Sequence, residues 1–70
     1  MKSKTITITP ALERDIVAFC DDELNYHINE SGCPEEYKSE INAQIELLRL
    51  LGYDDMSESY KTQFQNALQL

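Results

Sequence analysis

The sequence predicts an all-α fold: a small three-helix bundle, built as a helical hairpin plus a C-terminal helix, preceded by one short β-strand. Two observations carry the helices. Apolar residues recur at helical spacing in three stretches, and each stretch begins at a capping residue or a proline, the first two ending at a glycine. A third carries the strand: in "KTITITP", residues 4–10, threonine and isoleucine alternate with period two until a proline closes the run. At 70 residues the chain is read as a single small domain over 1–70.

The strand is expected at about 4–9, with Ile6 and Ile8 on one side and Thr5, Thr7 and Thr9 on the other. Thr9 then serves as the cap of helix 1, and Pro10 suits its first position because the missing N–H would have no helical partner there. Leu12, Ile16, Phe19, Cys20, Leu24 and His27 follow on what reads as the buried side. Asp15, Asp21, Asp22, Asn25 and Asn29 occupy the other. Gly32 ends the helix, so it is expected over about 10–30.

Helix 2, about 34–51, opens at Pro34 with Glu35 and Glu36 favouring the positive end of the helix dipole. Gly52 stops it, and Tyr53 is placed to fold back on Leu48. Its apolar pattern is double: Tyr37, Ile41, Ile45 and Leu48 make one stripe, and Ala43, Leu47 and Leu50 a second. A helix apolar on two sides must bury both, which makes it the central element. Helix 3 is expected at about 56–69, with Asp55 and Glu58 in capping-box spacing and Tyr60, Phe64, Ala67 and Leu68 as a narrow stripe.

Net charge is −7 and unevenly placed. Glu13, Asp15, Asp21, Asp22, Glu23, Glu30, Glu35 and Glu36 face Arg14 alone within residues 13–36. Such a field repels nucleic acid and anionic membranes and attracts basic partners. The most apolar window, "IELLRLLGY", is broken by Glu46 and Arg49 and falls far short of the ~20 residues of a membrane span. No signal-peptide pattern follows "MKSK", so the expectation is a cytoplasmic protein with reduced thiols.

A strand needs hydrogen-bond partners, and no second strand is legible in this chain. A loose tail removes the requirement. Antiparallel pairing with a second copy, or addition to a sheet edge of another protein, satisfies it. Alternating Ile6 and Ile8 favour a paired arrangement. A strand of this length followed by two amphipathic helices, over residues 4–51, resembles the ribbon–helix–helix family of dimeric repressors. That resemblance implies a dimer joined through the strand, with Thr5, Thr7 and Lys4 entering the DNA major groove and the second helix offering its N-terminus to phosphate. Here that N-terminus reads "PEE": Pro34 has no N–H, and Glu35 and Glu36 carry the sign of phosphate.

Cys20, Glu23 and His27 share an arc of helix 1 and are metal-binding types, but a closed site needs a fourth group. The competing reading makes Cys20 a small core residue and pairs Glu23 with His27. A Cys20–Cys33 disulfide conflicts with the helix, which separates Cys20 from residue 30 by ~15 Å. With one histidine and no glycine-rich phosphate loop or nucleophile motif, the sequence points to no enzyme, cofactor or metal.

Asp15 and Asp22 stand one heptad, ~10 Å, apart on one helix. Carboxylates so placed can imitate a phosphate backbone in the basic groove of a nucleic-acid-binding protein. The functional expectation is therefore a non-enzymatic interaction module, such as a phage or mobile-element regulator or inhibitor. It would bind a basic protein through Asp15, Asp21, Asp22, Glu30, Glu35 and Glu36, and assemble as a homodimer through Ile6, Ile8, Leu47 and Leu50. The alternatives are a ribbon–helix–helix-like repressor and a purely structural helical oligomer.

Overall fold

The computed structural model describes residues 5–69. Three α-helices run in order among them: α1 (Pro10–Asn25), α2 (Lys38–Leu50) and α3 (Asp54–Leu68). A single π-helical turn, Tyr26–Glu30, extends α1, and a 3₁₀ turn, Pro34–Tyr37, leads into α2. The all-α bundle expected from periodicity is therefore present. The strand is not: residues 5–9 form no strand, and Lys4 lies outside the described residues. Among the described residues there is no second strand to satisfy that backbone. Ile6 is left 72% exposed.

The helix starts and stops follow local chemistry. The Thr9 hydroxyl accepts the Leu12 N–H at 3.2 Å, and Pro10 takes the first helical position. At the end of α2, Gly52 adopts φ +94°; its N–H donates to the Arg49 carbonyl at 3.0 Å, and the Tyr53 N–H to the Leu48 carbonyl at 2.9 Å. That pair of bonds is a Schellman closure, which only glycine reaches without strain. α3 begins at once, at Asp54 rather than at 56. The residue before it is Tyr53, whose side chain makes no capping bond, so the expected Asp55–Glu58 box does not form.

The π turn has a packing consequence. Positions 20, 24 and 28 would drift about 40° per step around an α-helix. The wider turn takes up that drift and buries both His27 and Ile28. Ile28 joins Cys20, Leu24, Ile41, Leu48, Tyr60 and Phe64 in one core, of which Leu24, Ile41 and Leu48 are fully enclosed. α2 packs on both α1 and α3 and is the central helix. α3 also packs on the two turns between α1 and α2.

The molecule is 19 Å across its shortest dimension, two helix diameters. A molecule of two layers covers only one flank of α1, which overturns part of the expected burial pattern. Leu12 and Phe19, read as inward-facing, are 46% and 60% exposed. The second stripe of α2 also divides: Leu47 packs against the core, whereas Leu50 is 66% exposed.

Candidate interaction surface

The acidic residues singled out by sequence fall into two groups. Asp21 is half-buried and belongs to the fold: its carboxylate accepts the Tyr60 hydroxyl. Burial of Tyr60, helped by this bond to an anion, pushes the phenol up to about 12. Glu13, absent from the expected surface, plays the same role at the other end of α1, accepting the Tyr53 hydroxyl at 2.9 Å. The bond to Glu13 holds the Tyr53 phenol above its ordinary range.

Asp15, Asp22, Glu30, Glu35 and Glu36 are exposed. Among the described residues, no side-chain hydrogen bond or ion pair engages Asp22, and Asp15 meets only Arg14, at 3.8 Å with both groups in solvent. That pair is worth little. Glu30 accepts the Asn25 amide at 3.2 Å. Glu36 keeps the Cys33 thiol above its ordinary value by hydrogen bonding, with burial adding to the effect. Exposed carboxylates thus run along α1 and continue on the turn that opens α2, opposed within residues 13–36 by Arg14 alone.

Sequence reasoning missed the apolar part of this surface. Leu12, Phe19 and Tyr26 are all substantially exposed, at 46%, 60% and 48%. They stand seven residues apart, Leu12 and Phe19 on α1 and Tyr26 at the start of the π turn that extends it, and form one row ~21 Å long. Asp15 and Asp22 each follow a member of the row by three residues and border it on the side away from the core. The heptad spacing was visible in the sequence, but which side of it faced a neighbour was not.

At the row's end the Tyr26 ring meets His27 edge-on, with centroids 5.5 Å apart. His27 stacks on Tyr37 at 4.1 Å and 18°. It is 8% exposed, its Nδ1 has no hydrogen-bond partner, and no pair with Glu23 forms. Both cysteines carry free thiols. Among the described residues, no three His, Cys, Asp or Glu side chains converge as metal ligands, and no helix is long and apolar enough to cross a membrane. Comparison with protein-family models, curated proteins and solved structures finds no match.

Proposed function

We propose that this chain is a non-enzymatic protein-interaction module that engages a basic protein surface through the acidic side of α1 and the turn after it. The supporting observation is that Asp15 and Asp22 stand exposed on a preformed helix, with Glu35 and Glu36 exposed beyond it, and among the described residues the one ion pair to any of them is Arg14 with Asp15, in solvent. Carboxylates on a preformed helix meet lysine and arginine without a backbone ordering cost, and a net charge of −7 steers the encounter. The groove of a nucleic-acid-binding protein has the complementary chemistry. In its fullest form the reading is a regulator or inhibitor of such a protein, of the kind phages and mobile elements encode.

The test is capture from the lysate of the native host with wild-type and Asp15→Lys/Asp22→Lys baits at low and high salt. A partner retained by wild type at low salt, and lost with either the charge reversal or high salt, supports the reading. Equal capture by both baits overturns it. A mobility-shift titration with duplex DNA gives the opposing outcome: salt-sensitive DNA binding favours a repressor instead. Exposed Ile6 and Leu50 support a second reading, self-assembly. Light scattering at micromolar concentration tests it, and a monomer there removes it.

A further inference from the structure

The acidic residues on α1 flank an apolar row that the fold leaves uncovered, and the two together describe a narrower partner than a basic surface. We infer that Leu12, Phe19 and Tyr26 form the floor of a docking site for a basic amphipathic helix, whose apolar stripe lies along the row and whose lysines or arginines meet Asp15 and Asp22. This inference rests on the reading that the acidic side of α1 recognises a basic partner, and adds that an apolar contact supplies most of the affinity.

Three features of the surface select that occupant. The row runs ~21 Å along the helix, the length of four turns of a partner helix. Anchors repeated at seven-residue spacing are how one helix grips another. Asp15 and Asp22 repeat with the same period, so a partner with apolar and basic residues in one heptad pattern meets both elements in register.

Charge argues against a second copy in this position. Antiparallel packing of two α1 helices about Phe19 brings Asp15 of one copy beside Asp22 of the other, because both lie on the same side of the row. Parallel packing brings Asp22 of one copy beside Glu23 of the other. Both arrangements place like charges beside a low-dielectric contact, where repulsion is strongest. An anionic membrane is disfavoured for the same reason. A basic helix turns each of these repulsions into an attraction. One helix face is a small interface, which fits transient micromolar binding rather than obligate assembly.

The experiment titrates three synthetic peptides of about 20 residues, each ~30 Å long as a helix, against the full chain by fluorescence anisotropy. One is amphipathic, with leucines at heptad positions flanked by lysine and arginine. The second has the same charge, with serine for leucine. The third keeps the leucines and carries glutamate for the basic residues. The expected result is micromolar binding of the first peptide alone. Phe19→Ser should weaken it about tenfold or more, as loss of a central aromatic anchor does. Asp15→Asn/Asp22→Asn should weaken it and flatten its salt dependence, and Leu50→Ser should leave it unchanged. Phe19 is exposed, so its variant keeps the fold, which far-UV circular dichroism checks.

Equal binding of the first two peptides, with Phe19→Ser silent, overturns the docking site and leaves the acidic-surface reading standing. Equal binding of the first and third peptides, with the aspartate variant silent, overturns both. Failure of the first peptide to bind at about 100 times micromolar concentration overturns the docking site, as does a wild-type dimer in sedimentation that Phe19→Ser dissociates.

Discussion

The Tyr60 hydroxyl donates to the carboxylate of Asp21, 39 residues earlier in the chain, and lies 3.2 Å from the backbone oxygen of the same aspartate. This one contact ties α3 to α1, two helices that otherwise communicate mainly through α2 and the intervening turns. It also separates Asp21 from its neighbour Asp22: adjacent acids in the sequence have different work in the fold.

Tyr60→Phe should lower unfolding free energy by about 1.5 kcal/mol, the range for a hydrogen bond to a charged group. The native phenol is pushed up to about 12, above the ~10 of an unfolded chain, so the folded state keeps its proton to higher pH. The stability it contributes is fully present below about pH 10 and declines as pH rises towards 12. Urea denaturation between pH 8 and about 11.5 should show a steeper alkaline loss for wild type than for Tyr60→Phe. Parallel curves would mean the phenol titrates normally.

Asp21→Ala and Asp22→Ala should part company. The first removes the acceptor of Tyr60 and costs about 1 kcal/mol after the gain in helix propensity. The second removes an exposed carboxylate and changes stability by less than about 0.5 kcal/mol. Denaturant midpoints at neutral pH make the comparison directly.

His27→Phe should stabilise the chain by about 1 kcal/mol. The phenyl ring keeps the stack on Tyr37 and removes the buried, unpartnered Nδ1, whose desolvation has no compensation. A higher urea midpoint with an unchanged slope is the expected signature. A lower midpoint would show that the imidazole nitrogen is worth keeping.

Gly52→Ala should cost about 1–2 kcal/mol. An added Cβ meets nothing within 4 Å, so the whole cost is the backbone conformation at φ +94°. Thermal unfolding by circular dichroism checks it, and no loss would mean that the α2–α3 connection can close without a left-handed residue.

Much of the bundle was legible because its punctuation is local. A threonine before a proline caps α1 whatever surrounds it, and a glycine after Leu51 closes α2 by its own backbone freedom. The strand at 4–9 was equally well patterned, yet alternation describes only what a segment would do beside a partner, and the described residues supply none. Of the acidic surface, sequence could count the carboxylates and place them on helices. It could not tell that Asp21 would be taken by Tyr60, since that pairing spans 39 residues.

The sequence by itself determined three helices, where most of them begin and end, and a charge concentrated on the first. Those are properties of neighbouring residues, set by caps, glycines and spacing. Only the tertiary structure decided which apolar residues are sheltered. Leu12 and Phe19 carry the same periodic signal as Cys20 and Leu24, but α1 is covered by neighbours on one flank only, and a molecule 19 Å across its shortest dimension has no further layer to shelter the other.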